Sequence, residues 1–402
     1  MKSASLGIVF LTALIDMIGF GIVIPILPYF AEHLGASPFE IGLLTGSYLL
    51  MQLVTSPLWG RWSDRIGRRP VLIMCLTGSA GAYLLFAFAD SLGLILVARI
   101  LGGALAGKFS TLQAIIADVT DHETRAKGMG YFGAAFGLGF IIGPVIGGWL
   151  GQSGYQLPLF GAAILAAFSA LAAALWLGES LPAERRGHMR SDKGFRDWLM
   201  EFSESVGLMR GFTLGLLFNF AFSILYVTFA LFVERRLDFH TRETGYLFGF
   251  MGVVSAILQG GMMGKLSRRY SDQRLILAGL LTTGVGFILL GIVTELILLL
   301  TATTAIAVGS ALLTPTLSAY VSKQASAGEQ GQVMGYFQST STLARMLGMI
   351  AGGAIFIEPY IFLPFIAGAI ILLGASFYVP DGTSAGIVNQ WDPHAKRTQN
   401  EI

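Results

Sequence analysis

Long apolar stretches separated by short polar intervals run along nearly the whole chain. A helix crosses the hydrocarbon core of a bilayer with about 20 apolar residues. On that measure the pattern predicts six spans, near residues 5–31, 38–58, 71–90, 92–118, 125–151 and 156–178. A polar interval, 179–210, follows. Six more spans are predicted near 211–234, 243–264, 275–292, 295–321, 331–356 and 358–379. The first apolar run reaches Phe30, longer than a signal-peptide core and without a clear cleavage site, so it reads as a retained span. The expected organisation is 1–178, a linker 179–210, 211–379 and a polar tail 380–402. Within the linker, Phe195, Trp198, Leu199, Phe202 and Val206 recur at helical spacing among charges, the pattern of an amphipathic helix lying on a membrane face.

The pattern also repeats itself. Met129–Phe132 (MGYF) recurs at Met334–Phe337, and Gly143–Gly148 (GPVIGG) is echoed by Gly348–Gly353 (GMIAGG), both at an offset of 205. Gly60–Arg65 (GRWSDR) is echoed by Gly264–Arg269 (GKLSRR) at an offset of 204. Three matches in one order at nearly one offset imply two homologous six-span halves. Duplicated halves with a site between them are a transporter signature.

Composition agrees. Of 402 residues, 54% are hydrophobic and 12% charged, against about 25% charged in soluble domains. This makes a multi-pass membrane protein. The net charge of +2 says little about partners, and no basic run interleaved with aromatics suggests nucleic acid. Cys75 is the only cysteine. No nucleophile–base set and no metal-type cluster occurs, so neither an enzyme nor a cofactor is expected. Charge placement sets the expected orientation. Twenty Lys and Arg residues fall in the termini, the even-to-odd loops and the linker, while Arg235, Arg236 and Arg242 alone fall on the other side. Both termini are therefore expected in the cytoplasm.

Between the second and third spans lies GRWSDRIGRRP, Gly60–Pro70. Gly60 and Gly67 permit a tight turn, Asp64 can cap or pair locally, and Arg65, Arg68 and Arg69 offer guanidinium forks to carboxylates. With this loop, with Arg99 followed by Gly102 and Gly103, and with GLGFIIGPVIGG at Gly137–Gly148, the chain resembles the major facilitator superfamily. The likeness is strongest to its twelve-span, tetracycline-exporter-like drug:proton antiporters. It implies an all-α fold of twelve membrane helices in two pseudo-symmetric six-helix bundles. It also implies a cytoplasmic charge cluster of Asp64, Arg68 and Asp118, with Gly60, Gly67 and Arg69 in the same gating element. Arg99 would join proton coupling near the acid of span 1, and Gly143 and Pro144 would shape span 5 against span 8. Gly137, Gly139, Gly143, Gly147 and Gly148 offer a smooth face for close packing, whereas Met349 stands where the second half would need a Pro144.

Buried charge singles out the candidate site, because ionisable groups at bilayer depth are costly and tend to be functional. Asp16 lies about eleven residues into span 1, roughly 16 Å deep, and Lys108 lies about ten residues before Asp118, roughly 15 Å deep. The matched depth predicts an Asp16–Lys108 interaction across the central cavity, direct or through water. The family generally has a small or neutral residue near position 108, which makes Lys108 the clearest pointer to this chain's own substrate. Arg99 precedes Lys108 by nine residues, so on an ideal helix the two point about 180° apart. Only a distortion at Gly102, Gly103 and Gly107 would bring both to one cavity. Gln113, Asn219, Tyr226, Gln338 and Arg345 are further candidate substrate contacts, and Phe20, Phe30, Phe220, Phe222 and Phe229 candidate aromatic lining. One acid against three cations inside the spans favours an anionic or zwitterionic solute. The expected function is proton-coupled export of such a solute, a drug or siderophore-like metabolite, by a monomer in the bacterial inner membrane. A proton-coupled importer or facilitator, and a non-transporting sensor or scaffold of the same fold, are the alternatives.

Overall fold

The computed structural model describes residues 2–182, 186, 205–325 and 330–380. The amphipathic linker segment falls outside these residues except for Val206, as does the tail beyond 380. Every described element is helical. The first group contains α1 (Lys2–His33), α2 (Pro38–Ile66), α3 (Arg68–Ala87), α4 (Leu92–Ala104), α5 (Lys108–Val119), α6 (His122–Gly151) and α7 (Gln156–Trp176). The second contains α8 (Val206–Leu237), α9 (Thr241–Ile257), a π-helical turn (Leu258–Met262), α10 (Met263–Arg269), α11 (Asp272–Gly291), α12 (Leu296–Gln324), α13 (Gln330–Ile355) and α14 (Leu363–Ser376). Span 4 is thus α4 plus α5, and span 8 is α9, the π turn and α10. Ten spans, counting each of these pairs as one, are long and apolar enough to cross a membrane, and α14 is a shorter apolar helix. With α13, 26 residues long, they make the twelve passes expected.

Glycine decides which helices touch. A Cβ on Gly139, Gly143 or Gly147 of α6 would collide with the backbone or Cβ of Met17, Gly21 or Ile22 on α1. A Cβ on Gly148 would stand 2.4 Å from the Thr241 carbonyl oxygen of α9, and one on Gly245 of α9 would stand 2.3 Å from the Pro144 carbonyl oxygen. So α6 is wedged between α1 and α9, and Gly143 serves the α1 side while Pro144 meets α9. The repeat reproduces this wedge with α13. Gly348 and Gly352 press on Phe220 and Ile224 of α8, while Gly353 presses on the Pro38 carbonyl at the start of α2. Gly137, although in the same run, has open space around it. Gly148→Leu is therefore expected to force α6 off α9, at a cost of about 1–3 kcal/mol for overpacking. Gly137→Leu is expected to be silent, and the thermal midpoints of the two purified variants check the contrast.

These contacts between the two groups lie toward one end of the molecule, the end holding His33 and Pro38. There Tyr29 of α1 donates to the Ala230 carbonyl at 3.1 Å and lies 2.7 Å from the Thr244 hydroxyl. Arg235 of α8 bridges Glu32 of α1 at 2.5 Å and Glu358 at 2.6 Å. The largest apolar core runs through both groups, uniting Ile22, Leu27 and Tyr48 with Phe229, Phe232 and Met251. Toward the other end, which carries the basic loops, separate cores form in each group, one around Leu72, Leu112 and Ile116 and one around Leu258, Leu275 and Leu312. Gly130 and Gly133 of α6 and Gly260 and Gly261 of the π turn have nothing packed on them. The two groups are closed together at the His33 end and part toward the basic end. Outward, α7 exposes Ile164, Phe168, Leu171 and Leu175, a stripe suited to acyl chains.

Candidate functional site

Asp16 sits in the middle of α1 and Lys108 is the first residue of α5. The Lys108 ammonium donates to Asp16 Oδ1 in a short ion pair, and to the Ser79 hydroxyl of α3 at 2.9 Å. Both charged side chains are 2% exposed. The matched depth read from the sequence corresponds to a direct contact, but the pair is packed inside the first helix group and does not span the central cavity, because the break in span 4 turns Lys108 toward α1 and α3. Asp16 Oδ2 has no hydrogen-bond partner among the described residues.

Lys108 can point there because span 4 is not one helix. It breaks over Leu105–Gly107. Trp59 of α2 donates its indole N–H to the Ala104 carbonyl at 2.5 Å, an acceptor that the break leaves free. The same indole occupies the place where a Cβ on Gly107 would go, 2.3 Å away. A Cβ on Gly103 would stand 2.3 Å from the Tyr48 carbonyl oxygen, so α2 and α4 also meet at a glycine. The break turns α5 relative to α4. Arg99 and Lys108 therefore line one cavity, of about 10 Å³, with Tyr48, Ser79 and Tyr83. The distortion required for both cations to face one space is present.

Arg99 makes no ion pair among the described residues. Its guanidinium lies 4.6 Å from the Phe86 ring centroid and 5.7 Å from that of Tyr48, and its Nε finds no acceptor. At the repeat offset of 205, Asp16, Arg99 and Lys108 correspond to Ala221, Thr304 and Leu313. The three charges belong to one half only.

The signature turn is tighter than its sequence suggests. Gly60–Ile66 remains helical, and Gly67 alone, at φ 111°, reverses the chain into α3. Arg68 contacts Asp64 at 2.7 Å, Asp118 of α5 at 3.2 Å and the Ser63 hydroxyl at 2.6 Å. Glu179, which the motif did not flag, accepts from the backbone N–H groups of Arg68 at 2.9 Å and Arg69 at 3.3 Å, capping the start of α3. The Arg69 guanidinium donates to the Ala174 carbonyl at 2.5 Å. Asp64, Arg68 and Asp118 are thus brought together, with Arg69 and Gly67 alongside, and Gly60 stands apart in open space. In the second half, Lys323 at the end of α12 pairs with Asp272 at the start of α11, at 2.7 Å. These positions repeat Asp118 and Arg68 at offsets of 205 and 204 with the charges exchanged. Each half thus has an ion pair at the same two repeat positions with opposite polarity, a relation visible only once both contacts are seen.

The remaining candidates lie on α5, α8 and α13, and among the described residues make none of the hydrogen bonds of the Asp16–Lys108 pair. Gln113 of α5 and Gln338 of α13 are exposed. Asn219 of α8 is half-buried and donates to the Gly215 carbonyl of its own helix at 2.8 Å. Arg345 of α13 donates to Thr342 at 3.0 Å and lies within electrostatic reach of Tyr226, which packs on Phe222 and Phe248. Phe30 and Phe229 are core residues, 3% and 0% exposed, and so leave the expected aromatic lining. In their place a chain of rings runs from exposed Phe136 through Phe140 and Phe20 to Tyr48, at centroid separations of 5.4, 5.8 and 5.6 Å. It leads from the open end to Arg99.

Comparison with known proteins places this architecture. The chain is 29% identical over 364 residues to Multidrug resistance protein 2 of Bacillus subtilis (strain 168), with 90% of each chain covered. It is 32% identical over 342 residues to the class E tetracycline resistance protein of Escherichia coli, with 83% of each covered. Among solved structures, the human organic anion transporter MFSD10 (TETRAN) superposes with a TM-score of 0.71 at 27% identity, over 94% of this chain and 99% of that one. The sequence profile described as Major Facilitator Superfamily matches residues 9–277 and 260–398. The chain belongs to the major facilitator superfamily and is a multi-pass membrane transporter of small molecules, with drug-efflux relatives.

Proposed function

We propose that the chain is a proton-coupled antiporter that exports a small amphipathic organic solute, anionic or zwitterionic, across the bacterial inner membrane. Both termini lie in the cytoplasm in this reading, because positive residues concentrate on that side. The structure then corresponds to the inward-open state, with the cytoplasmic halves of the helices apart. The observation that carries the proposal is the buried Asp16–Lys108 pair. Splitting the pair lets a zwitterionic solute set its cationic group on ionised Asp16 and its anionic group on Lys108, whereas a proton on Asp16 removes the charge that the cationic group needs. Proton and solute thereby bias opposite states of one charge arrangement, which is what exchange by population shift requires. The resistance proteins among the relatives support drug-like solutes, and the organic anion transporter supports an anionic one. The ring chain from Phe136 to Tyr48 supplies the apolar face that an amphipathic solute needs.

Tetracycline, a zwitterion, is a suitable first probe. In everted membrane vesicles acidified inside, the expected result is proton-driven uptake of tetracycline. Uptake in right-side-out vesicles instead identifies an importer.

The closed end supplies a second test. Arg235 ties α1 to α8 and to the stretch before α14, and it is partly exposed. Such pairs are each worth up to about 1 kcal/mol. Arg235→Ala is expected to shift the population toward the state open at that end about fivefold. The distance between spin labels at Phe39 and Ile357, both exposed there, reads this out by pulsed electron resonance.

A further inference from the structure

Three charged side chains, Asp16, Arg99 and Lys108, are buried together, and two of them are cations. The carboxylate of Asp16 is committed to Lys108. The Arg99 guanidinium lies over the Phe86 and Tyr48 rings, and its Nε lacks an acceptor among the described residues. A buried ion without a counter-charge is costly, and aromatic faces compensate it only in part. The cavity between the two cations measures about 10 Å³ and is lined by the hydroxyl-bearing Ser79, Tyr48 and Tyr83. That is room for one water-sized particle and excludes an organic solute.

We infer that the cavity between Arg99 and Lys108 binds a single monoatomic anion, chloride, as a resident counter-ion. Nothing in the transport reading demands this site. That reading needs Asp16 to carry a proton, whereas the chloride site needs only the excess of buried positive charge. The occupant balances Arg99, is held by the Lys108 ammonium and by hydroxyl donors, and is too small to be replaced by a carboxylate. It would keep two cations in place at a depth where they repel each other.

The test is the thermal midpoint of the purified full chain, titrated with sodium chloride or sodium bromide against sodium gluconate at constant ionic strength. A saturable rise with both halides and none with gluconate is expected. Arg99→Gln should abolish the rise, and Ser79→Ala should weaken the half-saturating halide concentration about tenfold. Bromide should give an anomalous scattering peak between Arg99 and Lys108 in crystals. Equal behaviour in halide and gluconate, or a halide response unchanged in Ser79→Ala and in whichever Arg99 variant folds, overturns the inference. Sodium acetate forms the third arm: a response matching that of chloride means that the site takes a carboxylate and overturns the assignment to a monoatomic ion. Proton-driven tetracycline uptake measured in gluconate medium separates this inference from the function. Normal uptake there with no halide response in binding removes the chloride site and leaves antiport standing. Absent uptake in both media with an intact halide response does the reverse.

Discussion

Asp16→Asn is expected to abolish pH-gradient-driven export while leaving downhill solute exchange in place. Asparagine keeps the size of the side chain and a carbonyl oxygen for the Lys108 ammonium to donate to, so the helix packing around α1 and α5 survives. What it loses is the ability to exchange a proton. Burial and a neighbouring cation act in opposite directions on a carboxyl's proton affinity. Asp16, 2% exposed and in contact with Lys108, is subject to both. A group under such opposing influences responds strongly to the arrival of another charge, the behaviour required of a coupling residue. In proteoliposomes, wild-type tetracycline accumulation should follow the imposed pH gradient, while the variant should only equilibrate tetracycline. Gradient-driven accumulation that persists at the wild-type level removes Asp16 from the coupling role.

Lys108→Ala is expected to be the most destabilising single change in the molecule's interior charge set. It leaves Asp16 buried with neither oxygen paired, and breaking a buried ion pair from one side costs about 3–5 kcal/mol. The Ser79 hydroxyl loses its donor as well. Removing both charges, Asp16→Asn with Lys108→Met, is expected to recover most of that loss, because two well-packed neutral groups often match a buried pair. The double-variant cycle measures the coupling directly by thermal or denaturant unfolding in detergent. Effects that simply add would mean that the two side chains do not interact. The double variant is expected to remain inactive in proton-driven transport, so stability and coupling separate. Lys108→Ala is also expected to lose preference for anionic solutes; an unchanged preference would end the charge-based view of the substrate.

Much of this was legible in the chain itself. Span lengths and the basic loops describe rods of known length and an end with positive charge, and both depend on composition summed over many residues. The contact of Asp16 with Lys108 followed from depth alone, because a helix rises uniformly. Rotation about the helix axis is less secure. The nine residues between Arg99 and Lys108 predict opposite faces only if the helix is continuous, and the break at Leu105–Gly107 depends on Trp59, 45 residues away in sequence. The clue was present in Gly103 and Gly107, but a glycine does not announce what will fill the space it leaves. Glu179 carries no sequence signal for the same reason: it caps the backbone N–H groups of Arg68 and Arg69, and no motif marks an acceptor for them. The sequence sets Gly143 against span 8, but the glycine run of α6 serves two neighbours, α1 and α9, and a sequence stripe does not say which glycine meets which. The exchanged pairs Arg68–Asp118 and Asp272–Lys323 were hidden because a repeat search rewards identity, and here the charges had traded places.

In the proposed antiport, proton and solute compete for the Asp16–Lys108 arrangement. The most direct measurement is proton release on solute binding, followed with a pH indicator in weakly buffered detergent solution of the purified chain. Release of up to one proton per tetracycline bound, lost in Asp16→Asn although binding persists, is the predicted result. Saturable tetracycline binding to the wild-type chain with no proton released at any pH between 5 and 9 would contradict it.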